Sequence, residues 1–309
     1  MRLLILSNAY DTGGIGSSLK LAFERHTDWE VRFVRRKPNF LGYPPDIEWP
    51  HRTPLPALVA DLWRQADVVH MIDTFQPAAS LPGYESKPRI IHHVGDTFRR
   101  NAESYRARAR AEGITQLVCG FDLAVYDPEL VWLPMVCDTD LMRRERAAYR
   151  PGPRVRVMQT PAARIHNDTD DFLAAVAGVE GMDLELIEGV PWREAVRRKA
   201  QADILFDSFA SGYGLSVMEA WAMGVPALCG TSDPAVDRLV EAAFGALPYV
   251  PVTRETVAAA LRSLIADPDA RSRMGDAGRE AVERVHAEAR VVERLLPIYE
   301  AAMDRAVAA

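Results

Sequence analysis

The chain has 309 residues, of which 48% are hydrophobic and 26% are charged, and its formal net charge is −6. This composition is typical of a globular protein with about two domains, and it excludes disordered and collagen-like chains. The negative charge argues against a protein that coats nucleic acid, because nonspecific phosphate binding needs a positive surface. The three cysteines, Cys119, Cys137 and Cys229, lack metal-binding spacing. Their odd number suits a reducing compartment, so a cytoplasmic protein is expected.

Short apolar segments alternate with helical segments along the chain. Strands are predicted at residues 3–6, 30–34, 68–71, 89–92, 117–119 and 130–133, and then at 155–159, 184–187, 204–206 and 227–229. After residue 253 only helices are predicted. The alternation predicts an α/β protein with parallel sheets covered by helices. The first apolar run fits a strand better than a signal peptide, and no run approaches the roughly 20 residues of a membrane span.

A proline and glycine break divides the chain. Pro151-Gly152-Pro153 interrupts regular structure just before the strand predicted at 155–159. We therefore expect an N-terminal domain at 1–148, a C-terminal domain at 149–285, and a last helix at 286–309 that packs back on the first domain.

The segment Gly212-Tyr213-Gly214 lies between a predicted strand and a predicted helix that begins at Leu215. Glycines let the backbone approach a ligand, and a helix N-terminus offers N–H groups and a positive dipole end, so this segment predicts a phosphate site. Glu219 is the single charged residue of the apolar run that follows. A buried carboxylate is costly unless it is hydrogen-bonded. Either two adjacent ribose hydroxyls or groups of the chain itself would satisfy it.

Other patterns favour ordinary structural explanations. The Asp-Thr-Asp tripeptides at 138–140 and 168–170 each precede a predicted helix, so helix capping is expected rather than a metal site. His92-His93 lacks a second ligand pair, so no metal is predicted there either. The Gly-Gly-Ile-Gly at 13–16 lacks the third glycine of a dinucleotide fingerprint. The arginines at 99–110 favour a solvated helix face, with an anionic acceptor, a lipid surface or a nucleic acid as alternative ligands.

The segment 203–226 closely resembles the donor-site signature of glycosyltransferase family 4. Three earlier segments resemble other motifs of that family in the same order: 13–16, 92–99 and 132–140. The resemblance implies the GT-B fold, in which two doubly wound, Rossmann-like parallel-sheet domains face each other across a cleft and a C-terminal helix crosses back.

The resemblance also implies roles for individual residues. Glu219 would bind the ribose of a nucleotide-sugar donor, and the full set of donor-binding residues would be Gly14, Gly212, Tyr213, Gly214, Leu215, Ser216 and Glu219. Three catalytic residues are implied: His93 near the transferring sugar, Asp96, and Arg164 to neutralise the diphosphate. Arg99 and Gly16 would shape the acceptor pocket.

The family further implies the reaction: transfer of a sugar from a nucleoside-diphosphate sugar to a hydroxyl acceptor, with retention of configuration and without metal or cofactor. The acceptor could be a saccharide, a small molecule or a modified base in nucleic acid, and peripheral contact with a membrane is compatible with the sequence.

Two residues depart from the family pattern. Asn167 stands where a lysine is common, and Ser211 replaces the first glutamate of the Glu-x7-Glu pair, although some relatives without it carry an upstream Asp, as at Asp207. These departures leave a catalytically weak nucleotide-sugar-binding protein as one alternative. The arginines at 99–110 suggest the other, a glycosyltransferase that acts on a modified base in nucleic acid.

Overall fold

The structure is a computed structural model and describes residues 1–38 and 40–308. The chain forms two compact units: unit 1 contains Met1–Val136 and the chain from Glu288 onward, and unit 2 contains Cys137–Ala287. The division falls at 136/137 and 287/288, whereas the sequence pattern placed it near 148 and 285. Residues 137–148 belong to unit 2 because the helix α5, Thr139–Arg146, packs against helices of that unit.

Unit 1 is built on a seven-stranded parallel sheet in the order β3-β2-β1-β4-β5-β6-β7. Its strands are β1 Arg2–Tyr10, β2 Glu30–Lys37, β3 Ile47–Glu48, β4 Val68–Ile72, β5 Arg89–His93, β6 Thr115–Val118 and β7 Val131–Trp132. The strand order reverses at β1, as it does in doubly wound sheets.

Helices cover both faces of this sheet. They are α1 Ile15–His26, α2 Ala57–Gln65, α3 Gly95–Ala111, the short α4 Phe121–Ala124, and the C-terminal helix α12 Glu288–Ala308. Leu3 and Ile5 of β1 pack in a cluster with residues of α1 and α12. Leu4 and Leu6 alternate with them and pack in a second cluster with residues of α2. Both faces of β1 are therefore buried, as parallel sheets require.

Unit 2 is built on a five-stranded parallel sheet in the order β12-β11-β10-β8-β9. Its strands are β8 Val155–Gln159, β9 Met182–Leu186, β10 Ile204–Phe206, β11 Ala227–Cys229 and β12 Val250–Pro251. Its helices after α5 are α6 Thr169–Val176, α7 Trp192–Lys199, α8 Leu215–Ala222, α9 Pro234–Phe244, α10 Val257–Ala266 and α11 Pro268–Val285. Two parallel sheets with flanking helices confirm the α/β prediction.

Close packing against α11 fixes the position of α8. A Cβ atom at Gly278 would lie 2.5 Å from Cδ1 of Trp221, and one at Gly275 would lie 2.0 Å from the carbonyl oxygen of Gly224. These two glycines let α8 and the turn after it lie directly on the backbone of α11. Within residues 1–38 and 40–308, no helix is long and apolar enough to cross a bilayer.

Candidate functional site

The loop between β10 and α8 is held by hydrogen bonds that its backbone N–H groups donate to Gly230 and to the side chain of Asp207. Gly212 has φ of +74°, a conformation that favours glycine, and its N–H donates to the carbonyl oxygen of Gly230 over 2.8 Å. The N–H of Gly214 donates to Oδ2 of Asp207 over 2.9 Å. The loop therefore delivers the chain to the first residue of α8 in one defined conformation.

The N-terminus of α8 has the features of an anion site. The first N–H groups of a helix, here those of Leu215, Ser216 and Val217, have no intrahelical acceptor. The hydroxyl of Ser216 is hydrogen-bonded to the hydroxyl of Thr160, which follows β8. Backbone N–H groups, two hydroxyls and the positive end of the helix dipole thus meet at one point, which suits a phosphate.

Glu219 lies one turn further along α8, and only 3% of its surface is exposed. Its Oε1 accepts from the indole Nε1 of Trp192 over 2.6 Å. Its Oε2 accepts from Nζ of Lys199 over 2.5 Å, and Lys199 is 2% exposed. Groups of the chain itself, both on α7, therefore satisfy this carboxylate. An ionised carboxylate offers about four lone-pair sites, so the two donors leave room for two more.

Asp207 is the second buried carboxylate beside α8. Burial raises the pKa of Asp207 to about 6, although the Gly214 N–H and the charge of Lys199 act to lower it. Asp207 thus changes charge within the range in which most enzymes work. The ammonium of Lys199 interacts with both carboxylates.

Tyr213, between the two glycines, turns its side chain into the core of unit 2. Its hydroxyl lies 3.1 Å from Nε2 of His286, and its ring centroid lies 4.9 Å from that of Trp221. The side chain anchors the loop, so a donor at α8 would meet the backbone of this residue.

Arg164 lies in a short 3-10 helix, Arg164–His166, that precedes α6. Its guanidinium, nearly half exposed, forms two hydrogen bonds of 2.9 and 2.7 Å with Glu188 and one of 3.0 Å with Asp170. Its charge is therefore already engaged by two surface carboxylates. Asn167 follows directly, and its carbonyl oxygen accepts from the side chain of Gln159.

The two Asp-Thr-Asp tripeptides have separate structural roles. Asp138 accepts from the N–H of Leu141 over 2.8 Å, which confirms the expected helix cap. Asp168 also precedes its helix, but its Oδ2 accepts from the N–H of Phe209 over 2.8 Å, so the capping prediction is wrong for this side chain. Among the described residues, no three His, Cys, Asp or Glu side chains lie where they could hold a metal ion together.

The glycines predicted to meet the donor or acceptor in unit 1 are explained by packing. A Cβ atom at Gly14 would lie 2.3 Å from the ring of Tyr43, and one at Gly16 would lie 2.4 Å from the ring of Phe33. The side chain of Asp11 accepts from the N–H of Gly16 over 2.7 Å, so a carboxyl group of the chain itself occupies the N-terminus of α1.

His93 is fully buried at the end of β5. Its Nε2 lies 3.0 Å from Oε1 of Gln116, and its ring stacks on Phe98 at 4.3 Å. Burial lowers the pKa of His93 to about 4, so the imidazole is neutral at pH 7. Asp96 and Arg99 are brought together at the start of α3, 3.0 Å apart.

The arginines of α3 form ion pairs with nearby carboxylates and therefore do not present an unneutralised positive surface. Arg99 binds Asp122 as well as Asp96, and Arg108 binds Glu112. Asp127 accepts from both Arg106 and Arg110. These ion pairs neutralise the charge that suggested a nucleic-acid ligand, so the structure offers no support for that alternative.

Lys199 and Trp192 were not predicted as site residues. Both lie on α7 and contact Glu219 of α8, and no local sequence pattern predicts a contact between two separate helices. One signal was present: Lys199 follows Val196 by three residues and Trp192 by seven, which places a lysine on the apolar face of the helix.

Comparisons with known proteins agree with this geometry. Residues 182–281, about a third of the chain, match the model of the family "Glycosyl transferases group 1". This segment contains α7, the loop from Asp207 to Gly214, and Glu219. Among curated proteins no significant match is found.

Solved structures resemble the whole chain. HepE of Anabaena, in complex with UDP and glucose, is 12% identical with a TM-score of 0.70, over 97% of this chain and 100% of that one. Sucrose-phosphate synthase from Thermosynechococcus elongatus is 12% identical with a TM-score of 0.65, over 99% and 100%. A glycosyltransferase from Rickettsia africae is 10% identical with a TM-score of 0.59, over 98% and 99%. At such identities these proteins show a shared fold. The matched segment and the shared fold together support a glycosyltransferase of the GT-B fold.

Proposed function

We propose that this protein transfers a sugar from a nucleoside-diphosphate sugar to a hydroxyl acceptor. One observation carries the proposal: α8 begins at a glycine loop and carries a buried carboxylate, Glu219, one turn later, within the segment that matches the glycosyl transferases group 1. The similar HepE was solved with UDP and glucose, which supports a nucleotide sugar as the donor.

In this proposal the donor lies along the start of α8. Its diphosphate accepts from the N–H groups of Leu215 and Ser216 and from the hydroxyl of Ser216, and its ribose hydroxyls donate to Glu219. Gly212, Tyr213 and Gly214 give the loop its shape, and the N–H of Gly214 is engaged by Asp207. The resemblance to family 4 further supports membership of that family, retention of configuration, and independence of metals and cofactors. The odd number of cysteines supports a cytoplasmic location.

Arg164 is proposed to neutralise the diphosphate as the sugar leaves. Its ion pairs with Glu188 and Asp170 are exposed, and such pairs contribute at most about 1 kcal/mol each, so a diphosphate could draw the guanidinium away from them. Asp96 and Arg99 are proposed to bind the acceptor. His93 is packed beneath Phe98, so we assign it no step in the transfer.

A nucleotide-sugar-binding protein with little turnover is the second candidate. The ion-paired state of Arg164 favours it, together with Asn167 and Ser211 in place of the common lysine and glutamate. Release of free sugar from a bound donor distinguishes the two, because a pure binding protein releases none.

The proposal is tested by calorimetric titration with a panel of nucleoside-diphosphate sugars. We expect one donor to bind and Glu219→Gln to weaken it at least about tenfold, since hydrogen bonds to a charged group contribute about 1.5–3 kcal/mol. Glu241→Gln, an exposed glutamate of α9, is the matched control. If wild type binds no donor, or if Glu219→Gln binds every donor as wild type does, the proposed function is wrong.

A further inference from the structure

We propose that Lys199 and Trp192 of α7 are positioning residues, which hold the Glu219 carboxylate in the orientation that ribose recognition needs. The proposal rests on the donor site described above and adds to it the two residues that prepare this site. Neither residue would touch the donor's reacting atoms.

The two contacts fix the carboxylate from both sides. Each oxygen takes one donor, Oε1 from Trp192 at 2.6 Å and Oε2 from Lys199 at 2.5 Å. Residues 192 and 199 are seven apart, so both side chains leave the same face of α7. With both oxygens held by one rigid helix, rotation of the carboxylate about its last bond would break at least one hydrogen bond.

Stability alone does not explain a lysine at this position. Lys199 is 2% exposed and Glu219 is 3% exposed, so both charges are removed from water. The attraction within a buried ion pair roughly offsets the loss of hydration, and apolar residues of similar volume are often as stabilising or more so. The pair is better explained by what it does to the carboxylate, which is to hold it in one orientation.

The lone pairs that remain match the ligand. Two of the roughly four acceptor sites of the carboxylate are used by α7, and two are left for the adjacent 2′ and 3′ hydroxyls of a ribose. Lys199 also interacts with Asp207, which follows β10 and accepts from the N–H of Gly214 just before α8. A single ammonium thereby reduces the negative charge of two carboxylates beside the place proposed for a diphosphate.

The test is the ratio of affinities for a ribonucleoside diphosphate and its 2′-deoxy counterpart, because this ratio reports the ribose contact. UDP, GDP, ADP and CDP are each compared with the 2′-deoxy form by calorimetry. We expect wild type to prefer the ribose form of its nucleotide about tenfold or more, and Glu219→Gln to lose this preference. Lys199→Met, which keeps the length and removes the charge, should lower the ratio to within about twofold of that of Glu219→Gln. Arg197→Met, an exposed cation of the same helix, should leave the ratio unchanged.

Trp192→Phe keeps the buried ion pair and removes only the hydrogen-bond donor of the indole. This variant therefore tests the proposal even if Lys199→Met does not fold. It should lower the ratio severalfold while the melting temperature changes little. If Glu219→Gln loses the preference for the ribose form while Lys199→Met and Trp192→Phe both keep the wild-type preference, this proposal is wrong and the proposed donor site is still supported. Absence of binding of all four nucleotides to wild type would overturn both.

Discussion

Three buried histidines make the stability of unit 1 sensitive to acid. His70 of β4 lies 3.2 Å from His92 of β5 and 2.7 Å from the hydroxyl of Tyr299 of α12, ring nitrogen to partner atom in each case. Burial lowers the pKa of His70 to about 3, that of His93 to about 4, and that of His92 well below its ordinary value. The rings of His70 and His93 therefore stay mostly neutral in the folded protein at pH 5, and the lowered pKa of His92 acts in the same direction.

The unfolded chain behaves differently, because its histidines titrate near pH 6.5. Between pH 7 and pH 5 each unfolded histidine takes up about 0.7 proton, whereas folded His70 and His93 take up almost none. The stability that these buried histidines contribute is therefore present above pH 6.5 and is lost as the pH falls toward their lowered pKa values. Linkage gives a loss of about 1.9 kcal/mol for His70 and about 1.8 kcal/mol for His93 over this interval. Asp207, whose pKa is raised to about 6, acts in the opposite sense in unit 2 and returns about 1.3 kcal/mol there.

His93→Gln isolates one of these contributions, because the new amide can still donate to Gln116. Urea unfolding at pH 7 and pH 5, followed by tryptophan fluorescence, gives the change in unfolding free energy between the two pH values. We expect this change to be about 1.8 kcal/mol smaller in His93→Gln than in wild type, whatever the variant's stability at pH 7. His51→Gln, at an exposed position, is the control and should show the wild-type change. Equal pH dependence in wild type and His93→Gln would refute the reasoning.

Two further predictions concern Gly16 and Asp207. Gly16→Ala places a methyl group against the ring of Phe33, so thermal unfolding should show a loss of about 1–3 kcal/mol in stability while donor affinity is unchanged. Ser18→Ala is the control. Wild-type stability together with lost donor affinity would instead indicate that Gly16 contacts a ligand. If a diphosphate binds beside Asp207 only when that carboxyl is protonated, the affinity for the nucleoside-diphosphate sugar that binds in the titration panel should rise up to about tenfold from pH 7 to pH 5, since the protonated fraction at a pKa of about 6 rises accordingly. Asp207→Asn should bind equally well at both pH values, and a wild-type affinity that is flat over the same range would contradict the idea.

The sheet architecture could be predicted from sequence because it depends on local patterns. Every strand longer than two residues falls on an apolar run, and the runs alternate with helices. The strands β3 and β12 were not predicted, since Ile47–Glu48 and Val250–Pro251 are two residues long and show no periodicity. Both lie at the edge of a sheet, where one neighbouring strand is enough to define them.

In the candidate site, too, some features could be predicted from local sequence and others could not. The loop from Gly212 to Gly214 and the burial of Glu219 follow from local sequence, and the structure shows both. The partners of Glu219 do not follow from local sequence, because Trp192 and Lys199 precede it by 27 and 20 residues and reach it only because the fold brings α7 beside Glu219 of α8. The ion pair of Arg164 with Glu188 could not be predicted for the same reason, because 24 residues separate the two in sequence.

Helices α1 and α8 each follow a glycine, and a carboxyl group of the chain reaches the N-terminus of each. Asp11 accepts from the N–H of Gly16 at α1, and Asp207 accepts from the N–H of Gly214 at α8. A glycine loop before a helix therefore does not by itself distinguish a phosphate site from a capped helix. What distinguishes α8 is Glu219, a buried carboxyl group one turn inside the helix, of which each oxygen accepts one hydrogen bond from α7 and can accept another. The case for a donor site in this chain thus depends more on Glu219 than on the glycines that first drew attention to it.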